Sequence, residues 1–437
     1  MIRGLWAFWA LCACVAAGLP LLADEAYYLG WSRDLSLGYF DHPPGIALWV
    51  AAGLGHPRLP GLLCLPLTVW LLIRAAEAWG VATPQRLPMF ALWTPLGLAG
   101  CTLATPDAPL LPLFSGLLWA LGAGSTLSAG LLLGACLWSK STVLAALPAV
   151  ALLSGRRRAP PIFALAALVY APHVLWSVTH GGLPFTFQAG RLGQGFHLPE
   201  MLLGALLVVP PPLSIGLLHL AVGTLRGQGA LDGRDRALAA AGLSILGAWA
   251  VLACVSRVEA NWPALAWLPL LMLGARRAPN ATAHAHRVAR TLTAALGVGI
   301  LAACAALPLR WGPPRDPEGL AACLAEDPSV VAVRYQEKAL LDLTERGPVP
   351  YLRPPGRRAS QYDLQGAYAP IGGACGALVL AAPEVAAPAC PGDSEPVARC
   401  GRTFTACRCP PKADLVPHPS EGYARPAPAP GVPWGRP

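Results

Sequence analysis

Between residues 4 and 308 the chain is a succession of apolar runs separated by short polar breaks. A backbone inside lipid must satisfy its own hydrogen bonds, so only helices or a closed barrel can span it. The runs show little strand-like alternation, and helices are expected. Only 13% of the residues are charged and 55% are hydrophobic, against about 25% charged in a soluble domain. The 47 prolines and 46 glycines agree with this, because membrane helices tolerate both better than soluble helices do.

At about 20 residues per crossing, spans are expected at 4–23, 60–79, 87–104, 108–123, 161–178, 200–223, 237–255, 262–275 and 291–308. Residues 126–154 are long for one helix, and Trp138-Ser139-Lys140-Ser141 interrupts them. They read as two short helices or one strongly bent pair, the single broken region that the pattern suggests. The total is about eleven spans. Residues 45–57 are too short to cross and suit the interface. The first run follows Arg3 and has no clear small-x-small site before Ala23, which favours an uncleaved helix over a signal peptide.

The net charge is +9. The arginines sit between apolar runs, which points to membrane orientation and away from nucleic acid. With the N-terminus in the cytoplasm, the inner loops hold Arg74, Arg86, Arg156 to Arg158, Arg226, Arg234, Arg236, Arg276, Arg277, Arg287 and Arg290. The outer loops hold fewer: Arg33, Arg58, Arg191 and Arg257. The C-terminus is then outside. Six of the 13 cysteines (Cys323, Cys375, Cys390, Cys400, Cys407 and Cys409) lie in the polar C-terminal part, and an even number there suits disulfides in an oxidising compartment. The other seven lie in apolar runs and read as small hydrophobes.

Three parts follow: a membrane module at 1–308 with a first external loop at 24–58, a small external α/β domain at 309–409, and a proline-rich tail at 410–437. Short strand-like runs (330–333, 349–352, 377–380) and a helix-like run (336–346) motivate the α/β reading.

Polar residues that are not simple arginine clusters gather on the outer side. The first loop, DEAYYLGWSRDLSLGYFDHPP at 24–44, holds Asp24, Glu25, Asp41 and His42. The later loops add Asp107, Lys140, His173, His180, Gln188, Arg191, Arg257, Glu259 and Asn261. Ionisable groups at a membrane border are costly to shield and tend to mark a working site. Plainer roles stand beside this reading. Asp24 and Glu25 also suit a helix cap, as does Asp107, and Lys140 suits snorkelling to the interface.

Carboxylates facing cations at one membrane face suit group transfer from a lipid phosphate. Asp24 or Glu25 is the candidate base for an acceptor hydroxyl. Lys140, Arg191, Arg257 and His42 are candidates to stabilise a departing phosphate. Asp24, Glu25 and Asp41 are also donor types for a divalent ion, though nothing in the pattern requires one. No G-x-S-x-G elbow, phosphate-binding G-x-x-x-x-G-K-[ST] loop or H-E-x-x-H pair occurs.

The 24–44 stretch resembles the first external loop of bacterial GT-C glycosyltransferases, relatives of the protein O-mannosyltransferases and of the lipid A aminoarabinose transferase. ATPDAPLL at 104–111, WSKST at 138–142, PHVLWSVTHGGLPFTFQ at 172–188, VEANWPA at 258–264, RYQEKALL at 334–341 and RRASQYDL at 357–364 resemble further segments in the same order. Ser141 replaces a usual aromatic residue and Ser177 a usual asparagine; beyond residue 366 the resemblance ends.

The resemblance implies an all-α polytopic GT-C fold. It implies inverting transfer from a polyprenyl-phosphate sugar to a lipid, glycan or protein acceptor on the periplasmic face of the inner membrane. It makes Asp24 the base or the carboxylate that orients the acceptor, with Glu25 beside it, Asp41-His42 a second acid–base pair, and Lys140 a neighbour of the donor phosphate. The rival readings are a lipid or solute transporter, for which paired broken helices would be expected, and an envelope assembly protein.

Overall fold

Prolines and capping side chains decide where the apolar runs stop being helix. The computed structural model describes residues 2–190, 192–193, 195–229, 232–306, 330–332, 335–343, 360–362, 378–379, 394–399 and 402–407. Arg191 lies outside them. So do Cys323, Cys375, Cys390, Cys400 and Cys409, with the pairing expected of them. Two compact units separate. The first holds Met1–Leu21, Trp31–Val174 and Thr186–Pro308; the second holds Leu22–Gly30, Leu175–Phe185 and Leu309–Pro437.

The chain begins with α1 (Ile2–Gly18), α2 (Ala23–Ser32) and α3 (Gly45–Ala51). The expected 60–79 span divides into α4 (Leu59–Leu63) and α5 (Leu65–Ala78). The expected 87–104 span divides into α6 (Arg86–Leu92) and α7 (Pro95–Thr102). There Thr94 caps α7 by accepting from the Gly97 N–H at 3.0 Å, and Pro95 suits a first helical position. Next come α8 (Asp107–Gly122) and α9 (Thr126–Ser139). At Lys140 the backbone turns extended, and a 3-10 turn (Ser141–Ala146) leads into α10 (Leu147–Ser154). Of the two forms expected at 126–154, two short helices are present.

Beyond it lie α11 (Ala159–Thr179), α12 (Leu183–Ala189), α13 (Leu198–Val208) and α14 (Pro211–Leu225). The last two meet at 108° across Val209 and Pro210. The unit closes with α15 (Gly233–Ala253), a 3-10 turn (Trp262–Ala266), α16 (Trp267–Arg277) and α17 (Pro279–Ala306). The expectation of one broken region is corrected: proline and cap geometry, which hydropathy does not sense, break the chain at several places. A lone break thus no longer argues against a transporter.

Among the described residues, three single helices are long and apolar enough to cross a membrane: α11, α15 and the Pro279–Cys304 part of α17. Leu168, Val251 and Val298 on them are 70%, 73% and 61% exposed, as lipid-facing residues are. Inside the unit, α8 packs against α5 and α9. Gly130 and Gly134, one turn apart on α9, let α11 approach closely; a Cβ on Gly134 would stand 2.5 Å from that of Val169.

Helix α8 also separates two polar ends. At its C-terminal end Arg158 donates to the Leu121 carbonyl at 3.2 Å. Nearby loops are tied by Arg276, which contacts the carbonyl oxygens of Trp79 and Gly80 and the carboxylates of Asp232 and Asp235. Asp107 begins the same helix, about 24 Å away for 16 residues.

In the second unit the backbone of the C-terminal segment forms a four-stranded sheet of order β1-β2-β4-β3. Strands β1 (Val330–Val331) and β2 (Leu378–Val379) pair parallel. Strand β4 (Arg402–Cys407) pairs antiparallel with β2 and with β3 (Ser394–Arg399). A helix, α18 (Tyr335–Leu341), follows β1.

Candidate active site

In the first unit, two residues from two distant segments converge on the carboxylate of Asp107. Lys140 Nζ donates to both oxygens of Asp107, each at 2.8 Å. Asn261 Nδ2 donates to Asp107 Oδ2 at 2.6 Å. The side chains of Lys140 and Asp107 are 4% and 16% exposed. The two residues that looked like isolated ions are each other's partner. Local structure explains the meeting. Asp107 opens α8, Lys140 sits in the extended break after α9, and Asn261 precedes a 3-10 turn. Ser139 Oγ adds a bond to the Pro106 carbonyl at 2.7 Å. On the same strand of chain as Asn261, Arg257 and Glu259 form an exposed ion pair at 3.3 Å.

The loop carrying Asp41 and His42 is held from several sides. The Tyr39 ring stacks on Trp31 at 4.2 Å. Its hydroxyl lies 3.1 Å from the Trp31 carbonyl and 3.0 Å from that of Asp34, and accepts from the Ser36 N–H. Burial pushes the Tyr39 hydroxyl up to about 12, so it stays a proton donor. Asp41 is buried and His42 half-buried. The loop runs into α3, whose first residue lies against the backbone of Trp138 and Ser139; a Cβ on Gly45 would stand 2.6 Å from the Trp138 carbonyl. Phe40 packs on Phe187 at 5.5 Å, next to Gln188. His173 is buried in α11, and its Nδ1 lies 2.9 Å from the Leu37 carbonyl. Arg58 fastens the end of α1 through the carbonyl oxygens of Ala16, Leu19 and Pro20. So Asp41, His42, His173 and Gln188 belong to one braced loop system, and Asp107, Lys140 and Asn261 form direct contacts.

In the second unit, Asp24 and Glu25 part company. Glu25 is fully buried and accepts from the Leu22 N–H at 3.0 Å, the reach-back of a capping-box glutamate at the third position of α2. Asp24 is exposed, and the Tyr335 hydroxyl donates to its Oδ1 at 2.9 Å. Tyr27, one turn on, packs its ring on Tyr335 at 4.8 Å and on Tyr362 at 5.6 Å, and its hydroxyl accepts from the Gln361 N–H. Lys338 lies 4.7 Å from the Tyr362 ring centroid. Tyr335, Tyr362 and Lys338 were not singled out from sequence; the only signal was their place in the RYQEKALL and RRASQYDL segments. His180 stacks on Trp176 at 4.1 Å, an arrangement that aromatic packing accounts for. Among the described residues no three of His, Cys, Asp and Glu gather to hold an ion, and Glu25 is engaged as a cap.

Set against known proteins, the chain aligns with the crystal structure of ArnT from Cupriavidus metallidurans. The apo form superposes with a TM-score of 0.61 at 15% identity, over 92% of this chain and 97% of that one. The form bound to undecaprenyl phosphate gives 0.63 at 14% identity, with the same coverage. The chain has the GT-C fold. That fold is mostly helical, and the apolar helices of this chain fit a polytopic membrane protein. Among curated proteins, the lipid A galacturonosyltransferase RgtD of Rhizobium johnstonii is 27% identical over 276 residues. That match takes in 56% of this chain and 58% of RgtD. No protein-family model matches the chain.

Proposed function

We propose that this protein is an inner-membrane glycosyltransferase. It moves a sugar from a polyprenyl-phosphate donor to a lipid acceptor of the lipid A class, with inversion at the anomeric carbon. The observation that carries this reading is the fold shared over 92% of the chain with ArnT, whose bound form holds undecaprenyl phosphate.

Asp24 takes the proton of the acceptor hydroxyl while that oxygen attacks the anomeric carbon. The carbon–oxygen bond to phosphate breaks, and its electron pair leaves with the polyprenyl phosphate. Tyr335 holds the carboxylate of Asp24, and Glu25 sets the start of the helix that bears it. Lys140, with Arg257 and Arg191 as further cations, favours charge developing on phosphate oxygens. Lys140 uses two of its three N–H directions on Asp107 and keeps one for a ligand. Asp41 and His42 are assigned as a second acid–base pair, and His173, His180, Gln188 and Glu259 as further donor-phosphate or substrate-binding residues.

The topology assigned with this function has about eleven crossings, a cytoplasmic N-terminus and a periplasmic segment at 309–409 of α/β type. The arginine contacts at the C-terminal end of α8 and Asp107 at its start support two opposite membrane faces.

The test uses purified protein in detergent with radiolabelled undecaprenyl-phosphate sugar and lipid A. Label should pass to the lipid, and Asp24→Asn should stop transfer while leaving expression intact. Normal transfer by Asp24→Asn removes Asp24 as the base. Sugar flux into liposomes without a new glycosidic bond would replace the transferase by a transporter.

A further inference from the structure

The arginine-rich end of the first unit holds a groove that the transfer chemistry does not use. It lies between α6 and α17 and encloses about 310 Å³. Exposed Arg86, Arg287 and Arg290 line it, with half-buried Met89 and buried Phe90 and His286. Among the described residues, none of the three arginines is in an ion pair; Arg287 Nη2 lies 2.7 Å from His284 Nδ1. His286 is 6% exposed and packs its ring 5.1 Å from Phe90. Its Nε2 has no hydrogen-bond partner among the described residues. The groove thus offers three uncompensated cations and one buried polar nitrogen beside an apolar wall.

Its depth follows from α17. This helix has 28 residues, about 42 Å, which exceeds the roughly 30 Å hydrocarbon core. From Thr291 to Ala306 it carries no charge. Arg287 and Arg290 therefore stand where hydrocarbon gives way to headgroups. Val288, Leu292 and Leu296 follow at helical spacing and are 40%, 47% and 44% exposed, an apolar stripe that leads from the arginines into the bilayer.

We propose that this groove binds the headgroup of an anionic phospholipid from the leaflet it opens onto. The phosphate lies among Arg86, Arg287 and Arg290, His286 contributes a hydrogen bond, and an acyl chain lies along the 288–292–296 stripe. A soluble anion satisfies only the cations, and a zwitterionic lipid brings no net charge to offset three of them.

The test is native mass spectrometry of the full chain, purified with defined mixtures of phosphatidylglycerol and phosphatidylethanolamine. Retained phosphatidylglycerol should dominate. Arg290→Gln alone should weaken its retention about fivefold, and the triple Arg86→Gln, Arg287→Gln, Arg290→Gln variant by on the order of a hundredfold. Ala283→Trp, which fills the groove and leaves the charges in place, should expel the lipid as well. Equal retention of the two lipids overturns the proposal, as does undiminished phosphatidylglycerol on Ala283→Trp. Displacement of the lipid by inorganic phosphate reassigns the groove to a soluble anion and overturns it too.

Discussion

Lys140 and Asp107 stand 33 positions apart in the chain and meet through two contacts of 2.8 Å, with side chains 4% and 16% exposed. Removing one member of a buried ion pair strands the other charge, at a cost of about 3–5 kcal/mol. Lys140→Met should therefore destabilise strongly, and Asp107→Leu should do so less, because Lys140 can relax toward water. Replacing both, with Lys140→Met and Asp107→Leu, should recover most of the lost stability and none of the activity. Thermal unfolding of the four proteins in detergent, read as a double-mutant cycle, checks this. Additive losses would mean that the pair is not coupled.

Asp24 and Glu25 are neighbours with opposite surroundings, so their variants should separate stability from catalysis. Glu25→Ala removes the reach-back bond at the start of α2 and should cost about 1 kcal/mol. Asp24→Asn leaves packing intact and should leave the unfolding temperature within a degree or two while transfer stops. If Glu25→Ala proves the silent one in unfolding assays, the capping role assigned to Glu25 fails.

Tyr335 donates to Asp24 through its hydroxyl and packs its ring on Tyr27. A hydrogen bond to a charged group contributes about 1.5–3 kcal/mol. Tyr335→Phe should lower kcat by roughly ten- to a hundredfold with KM for the donor little changed. A change confined to KM would place Tyr335 in donor binding instead.

Some of these local arrangements were legible in the sequence, and the failures have physical causes. The broken helix at Lys140 was visible because a charged tetrapeptide interrupts an apolar run. The breaks at Thr94 and at Val209-Pro210 were not, since hydropathy is blind to a capping threonine and tolerates proline. Lys140 and Asp107 each stood out as lone ions, but their pairing depends on how α8 and α9 pack, which local sequence does not encode. The choice between Asp24 and Glu25 stayed open because Leu22 occupies the cap position where the usual capping box has serine or threonine. Tyr335 was hidden by distance: 311 positions separate it from Asp24.

At the opposite end of α8, Asp232 caps α15 by accepting from the Asp235 N–H at 2.8 Å and pairs with Arg276 at 2.7 Å. Foremost that backbone bond, and then the Arg276 charge, hold the Asp232 carboxyl below its usual range. A depressed carboxyl contributes stability that is present above the unfolded value of about 3.9 and is lost as pH falls through the lower folded value. The effect is small, because the side chain is 54% exposed and solvent screens it. Asp232→Asn keeps the cap and removes the titration. The difference in unfolding temperature between the two proteins should shrink as pH falls below about 4; a difference that grows instead reverses the assigned sign.

Gly45 links the loop that carries Asp41 and His42 to the Lys140 break. A side chain there would bring a Cβ to 2.6 Å from the Trp138 carbonyl and 2.7 Å from the Ser139 Cα. Both are backbone atoms of the segment that positions Lys140, so neither can swing aside as a side-chain tip would. Gly45→Ala must push α3 and the preceding Asp41-His42 loop away from that segment, at a cost of about 1–3 kcal/mol. Gly55 is the control: its surroundings are open, although its φ of 93° disfavours alanine for conformational reasons alone. Both variants should lose stability, but only Gly45→Ala should lose transfer activity beyond what its unfolded fraction explains. Activity per folded molecule, with the folded fraction taken from size-exclusion chromatography, separates the two. Equal activity per folded molecule in both would detach the α3 contact from the site.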